Sequence, residues 1–222
     1  MRNTRRNIAI LIIALVMILG FVLTQNFMAP PIQLDAVEVK EYHGQKLSSV
    51  ESIPETSIKG PQHVNISSYR LEVTGLVQKP QNYTYDQVKG LQNYKKVVTL
   101  NCVEGWDTTI LWQGVLISDI LNRSKPLPNA NTVIFHAVDG YSTSFPLSYF
   151  KDNQIIMAYK MNNATIVPQN GFPFQLVAES KWGYKWIKWI NKIELSSNSS
   201  YQGYWESRGY SNSGNLSENF FS

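Results

Sequence analysis

Polar and charged side chains are absent from Ile8 to Leu23, and no later stretch of the chain is comparable. Extended to Met28, this run is long enough to cross a bilayer as a helix. It follows Arg2, Arg5 and Arg6 and precedes Thr24, Gln25 and Asn26, with no clear small-residue cleavage site. That pattern favours a retained signal anchor over residues 1–28 rather than a removed peptide. With the arginines on the cytoplasmic side, the expectation is a single-pass cell-membrane protein whose domain lies on the extracytoplasmic side. Residues 29–65 mix prolines, serines and charges without a sustained period and read as a tether.

From Tyr69 the pattern turns to short β-type runs. YRLEVTGLV alternates apolar and polar positions and predicts a half-buried strand, YTYDQVKGL a short helix ending at Gly90, and KKVVTLNC a second strand. In LWQGVLISDILNRS, the apolar Leu116, Ile117, Ile120 and Leu121 fall at helical spacing, so a helix or helical turn is expected. NTVIFHAVDGYSTSFPL predicts two strands joined by an Asp-Gly turn. PLSYFKDNQIIMAYKMNN fits helix or strand, FPFQLVAES a strand, and IKWINKIEL a closing strand. The sum is an α+β, β-rich domain over residues 66–212 with a flexible tail over 213–222.

Composition narrows the picture in two ways. With 222 residues, 43% of them hydrophobic, the chain can bury a core without disulfide staples. Its single cysteine, Cys102, has no partner within the chain and is either an apolar filler or a chemically used thiol. The formal net charge of +4 includes the N-terminal arginines, which leaves little basic excess for a polyanion, and no nucleic acid is expected as partner.

Familiar catalytic kits are missing. His43, His63 and His136 are scattered without metal-ligand spacing, and there is no G-x-S-x-G, P-loop or dinucleotide fingerprint. A Cys102–His136 nucleophile pair is disfavoured, because Cys102 ends a strand instead of opening a helix that would lower its pKa. The segment SKWGYKWIKWINKIEL stays open. Trp182, Trp186, Trp189 and Ile193, with Lys181, Lys185, Lys188 and Lys192 one position earlier, describe an amphipathic helix, packed or lying on a membrane surface. Gly183 and the β-branched residues of IKWINKIEL instead suit a turn feeding a strand, with backbone N–H groups and one lysine aimed at an anion.

The order TLNCVEGW, WQGVLISDIL, DGYSTSFPL, NGFPFQLVAESKWGYKWIKWINKIEL and GYWESRGYSN resembles the molybdopterin-binding domain of the sulfite oxidase superfamily, nearest to the methionine-sulfoxide reductase catalytic subunits. The resemblance covers roughly residues 66–212. It implies that domain's mixed, β-rich fold, a molybdenum-molybdopterin cofactor and Cys102 as the metal ligand. A thiolate suits that role, being a soft, strongly donating ligand that coordination deprotonates. Glu104, two residues on, would share the face of Cys102 if the strand continued and could relay protons, or it is a surface carboxylate at a strand end. The resemblance places Asn170 on the pterin and Trp186, Ile187 and Lys188 on the turn that holds the cofactor's phosphate. Gln175 stands where relatives carry an arginine, so one charged, forked contact is replaced by a neutral amide.

The implied activity is transfer of an oxygen atom to or from a small sulfur- or nitrogen-containing substrate, with methionine sulfoxide as the specific expectation. The sequence carries no haem, flavin or Fe–S motif, so a membrane haem protein or quinol oxidase is expected as the electron donor. The rival readings are a cofactor-free, surface-anchored binding domain that keeps the fold, and a membrane-surface module built on the Lys/Trp segment.

Overall fold

The computed structural model describes residues 37–221. The expected N-terminal anchor lies outside them, and among the described residues no helix is long and apolar enough to cross a membrane. A short hairpin, β1 (Glu41–Tyr42) and β2 (Gln45–Lys46), comes first. It is followed by β3 (Leu71–Gly75), β4 (Gln81–Tyr83), α1 (Tyr85–Lys89), β5 (Asn93–Asn101), β6 (Asp107–Leu116) and α2 (Ile117–Ser124). The rest of the domain is β7 (Thr132–Ala137), β8 (Ser142–Pro146), α3 (Leu147–Asp152), β9 (Ile156–Met161), β10 (Ala164–Thr165), β11 (Gln175–Val177) and β12 (Ile190–Ser196).

The strands form two five-stranded sheets. One runs β10-β9-β6-β5 with β11 also paired to β9, and the other runs β4-β3-β12-β7-β8. The β3–β12 pair is parallel and the remaining pairs are antiparallel. A single apolar cluster draws on both sheets, with Leu71, Val73, Phe135 and Ile193 from one and Ile110, Trp112, Met157 and Leu176 from the other. Burial of these side chains is the main term holding the domain together.

Local chemistry explains most boundaries. Thr84 and Gln87 form a reciprocal capping box at the start of α1, which ends at Gly90 as its sequence implies. The stretch PLSYFKDNQIIMAYKMNN divides into α3 and β9, so helix and strand both occur in it. The expected helix over LWQGVLISDILNRS is corrected: Leu111–Leu116 belong to β6, and the helix begins at Ile117. β6 lies between β5 and β9, and Ile110, Leu111, Trp112 and Val115 are all buried, so the period-two signal that marks a half-exposed strand is erased. Gly114 permits the approach of β6 to β9, since a Cβ there would lie 2.0 Å from the Met157 carbonyl oxygen.

Both ends of the described chain are bound to the domain. Over residues 37–65, the segment read as a tether lies against the sheets. Glu38 accepts from the Val50 N–H at 2.7 Å and the Asn162 amide at 2.8 Å, Leu47 is buried, and the Ser48 N–H donates to the Thr109 carbonyl. Polar groups bond it to β6 and to the end of β9, so it needs no hydrophobic period. The residues read as a flexible tail are held similarly. Lys181 donates to Asn215, the Trp182 N–H bonds the Gly214 carbonyl, and Phe220 packs edge-on against Trp182.

Candidate functional site

β5 and β6 pair in continuous register down to Asn101 and Asp107, and the chain reverses through residues 102–106. The Cys102 N–H donates to the Trp106 carbonyl at 2.8 Å, and the Gly105 N–H to the Cys102 carbonyl at 3.1 Å. Gly105 adopts φ +88, a conformation glycine takes at no steric cost. Cys102 therefore sits in a tight turn at the tip of the two longest strands. Its thiol is half-buried and free. Burial pushes the thiol pKa up, opposed by the Glu104 and Val103 backbone N–H groups that point at the sulfur. A cation at that sulfur would reverse the balance and take the proton.

Glu104 does not share a strand face with Cys102, because the strand ends at Asn101 and the turn intervenes. Its exposed carboxylate accepts from the Trp106 indole at 3.2 Å. Both residues nonetheless line one cleft, of about 1050 Å³ including its open mouth. Asn170, Gln175, Trp186, Ile187 and Lys188 line the same cleft, so the structure brings all seven sequence-predicted residues together.

The far wall is fixed by close packing. Trp182 bridges Asn101, and a Cβ on Gly183 would lie 3.2 Å from the Asn101 carbonyl oxygen and 3.4 Å from the Cys102 Cα. A single 3₁₀ turn, Gly183–Lys185, then carries the chain into Trp186 and Ile187, both buried. The Trp186 ring lies 5.6 Å from that of Trp112, within the range of favourable aromatic contact.

Two buried amides face this space. Asn170 and Gln175 are only 5% and 4% exposed and line the cleft, their side chains make no hydrogen bond among the described residues, and neither contributes a fully buried orphaned atom, so the amides open onto the cleft. Buried amides are normally satisfied. Asn162 shows the usual case: its side chain bonds the Leu111 N–H, the Glu38 carboxylate and the Ser48 carbonyl. Unpartnered amides in a cleft are suited to a ligand that supplies the missing bonds. Asn170→Ala is accordingly expected to leave the thermal midpoint of cofactor-free protein within about 2 °C, since no internal bond is lost. The same variant should retain severalfold less pterin, measured by fluorescence of the released, oxidised cofactor; a large loss of stability instead would show that the protein itself uses the amide.

The lysine stripe is not one face of a helix. Lys185 is fully buried and paired to Glu206 at 2.7 Å, Lys181 donates to the Ser213 carbonyl at 2.9 Å, and Lys192 pairs with Glu194 at 2.8 Å. Only Lys188 of the four lines the cleft. The spacing arises from a turn, a loop and a strand in succession, as Gly183 and the β-branched residues foreshadowed. His136 lies 3.1 Å from Glu194 and does not line the cleft, so no Cys–His pair forms. Sequence reasoning missed the N-terminal residues Ile53 to Ile58, which supply part of the cleft wall, and the pairing of Lys185 with Glu206. The aromatic motif GYWESRGY, with one acid opposite four lysines, held the only hint of that pair.

A soft thiol, two unsatisfied amides and one cation around a cleft of this size fit a metal–pterin cofactor with an anionic end. The site is thus a cofactor-sized pocket, and its class comes from comparison with known proteins. A family profile described as "Oxidoreductase molybdopterin binding domain" matches residues 58–205, and the chain belongs to that family. Its cofactor is molybdenum-molybdopterin.

The chain is 31% identical over 151 residues to "Uncharacterized oxidoreductase YuiH" of Bacillus subtilis, covering 68% of this chain and 76% of that one. It is 33% identical over 149 residues to "Putative protein-methionine-sulfoxide reductase subunit YedZ1" of Azospira oryzae, covering 67% of this chain but 56% of that one. Among solved structures, the sulfane dehydrogenase SoxCD of Paracoccus pantotrophus shares the fold, with a TM-score of 0.61 and 20% identity, over 69% of this chain and 43% of that one.

Proposed function

We propose that this chain is a membrane-anchored, extracytoplasmic oxidoreductase that moves an oxygen atom to or from a small sulfur- or nitrogen-containing substrate, with methionine sulfoxide as that substrate. The reading rests on one observation: the lone thiol, two unpartnered buried amides and Lys188 line a single cleft. In this reading Cys102 is the metal ligand and Asn170 and Gln175 hydrogen-bond the pterin. Backbone around Trp186 and Ile187, with Lys188, holds the phosphate. Glu104, exposed beside the Cys102 turn, can exchange a proton between solvent and the reacting substrate. When bound, the molybdenum centre supplies two-electron oxygen-atom transfer.

Methionine sulfoxide is favoured because relatives named as methionine-sulfoxide reductase subunits match, including "Protein-methionine-sulfoxide reductase catalytic subunit MsrP" of Gluconobacter oxydans, 29% identical over 145 residues and 46% covered. The anchor and its orientation follow from Arg2, Arg5, Arg6 and the Ile8–Leu23 run. A membrane haem protein or quinol oxidase is the electron donor in this reading. Protein made in a host that inserts the cofactor should contain near-stoichiometric molybdenum and reduce methionine sulfoxide with a reduced dye as donor. Absence of metal would overturn the whole reading, and metal with turnover of only nitrate or sulfite would overturn the substrate.

A further inference from the structure

Lys188 is held unusually firmly for a cleft lysine. Its stem lies on Gly171, where an added Cβ would come 3.0 Å from the Lys188 Cβ, and its ammonium sits 5.1 Å over the Trp189 ring. Nζ donates to the Gln169 carbonyl at 3.0 Å and to Glu55 Oε1 at 3.2 Å. Glu55 is itself fixed, accepting from the Ser57 N–H at 2.9 Å and the Ser57 hydroxyl at 2.8 Å. An ammonium carries three N–H donors, so two are committed within the protein and one remains. Glu55 lies outside the 58–205 match, on the N-terminal segment whose residues Ile53, Pro54, Thr56, Ser57 and Ile58 line the cleft.

We propose that Glu55 is a positioning residue for the cofactor's anionic end: its carboxylate and the Gln169 carbonyl hold the Lys188 ammonium so that the remaining N–H serves that anion. The inference rests on the reading that Lys188 meets the cofactor's phosphate. Glu55 does a second thing. Burial pulls the Lys188 pKa down, and the charged groups that oppose this are Glu55, which also hydrogen-bonds it, and Asp139. Removing Glu55 therefore removes both the clamp and the larger support for the positive charge. A neutral lysine holds a phosphate poorly.

The test compares loaded wild type, Glu55→Gln, Glu55→Asp and Lys188→Met, following pterin retained after gel filtration from about pH 7 to about pH 10. In wild type, retention falls at the alkaline end as Lys188 loses its proton. Glu55→Gln should show the same fall at lower pH, a displacement of about one pH unit meaning about tenfold less protonated Lys188 at a given alkaline pH. Glu55→Asp should restore most of the profile, and Lys188→Met should bind weakly at every pH without the inflection. Melts of the cofactor-free variants should stay cooperative and fall by only a few degrees at neutral pH, because losing the Glu55 support for a folded-state charge costs some stability without unfolding the domain. Wild-type and Glu55→Gln profiles that superimpose would overturn the inference, as would a uniform loss in Glu55→Gln with no shift along pH. Wild type that holds no pterin at any pH would instead remove the cofactor reading, and the inference with it.

Discussion

Cys102→Ser is expected to give a folded protein with background molybdenum and turnover reduced by more than about 100-fold. Losing a partner that merely orients a ligand costs about 10- to 100-fold in metal affinity or activity, so losing the ligand itself must exceed that range. A serine hydroxyl is hard and is not ionised near neutral pH, whereas a thiolate is soft and is readily formed on coordination. The fold should not notice. The thiol is only half-buried, and the turn is held by Cys102, Gly105 and Trp106 backbone groups that serine keeps. Elemental analysis and a thermal melt on the same sample check both halves. Retained metal in the variant would show that something other than this sulfur binds it.

The second large effect concerns stability. The Lys185 and Glu206 side chains are fully buried, 2.7 Å apart. Lys185 also donates to the Ser144 carbonyl at 2.7 Å and the Asn212 carbonyl at 3.0 Å, and the Thr143 hydroxyl donates to Glu206 at 2.5 Å. All three ammonium donors are used, while Glu206 Oε2 is buried without a hydrogen-bond partner. Removing one partner strands the other charge away from water, which costs about 3–5 kcal/mol. Lys185→Met should lower the urea-derived stability of cofactor-free protein by that amount. Replacing both partners in Lys185→Met/Glu206→Leu should recover most of it, since an apolar pair leaves no buried charge. A single variant that shifts stability by less than about 1 kcal/mol would show that water reaches the pair. Because Lys185 ends the turn that leads into Trp186, Ile187 and Lys188, the single variant should also load less cofactor.

These two sites differ in how openly the sequence announced them. Cys102 drew notice as a solitary thiol after a β-branched run, but an apolar filler suited that pattern as well, and only the order of the surrounding motifs made it the candidate ligand. Asn170 and Gln175 were placed by resemblance alone; nothing in NGFPFQ says that two amides end up buried without partners. Lys185 was left undistinguished within the lysine series, because lysines one helical turn apart look alike in sequence whether they meet solvent, an acid or a cleft. Its partner is 21 residues away, and charge pairing at that distance leaves no periodic trace. β6 failed for a different reason: a strand covered on both faces carries no alternation to read. The β7–β8 hairpin, by contrast, has an Asp139-Gly140 turn signature that depends only on its own residues, and it was found even though Asp139 is buried.

The position of β12 governs how this protein can be made. It is the central strand of its sheet, pairing with β3 on one side and β7 on the other, yet it is the last strand among the described residues. Until residues 190–196 leave the ribosome, the β3–β4 and β7–β8 hairpins have no common neighbour, and the apolar side chains of Val73 and Phe135 wait uncovered. Such late closure slows folding and favours completion after synthesis rather than during it. The cleft walls, drawn from residues as far apart as Ile53 and Tyr210, meet only once the whole domain has emerged.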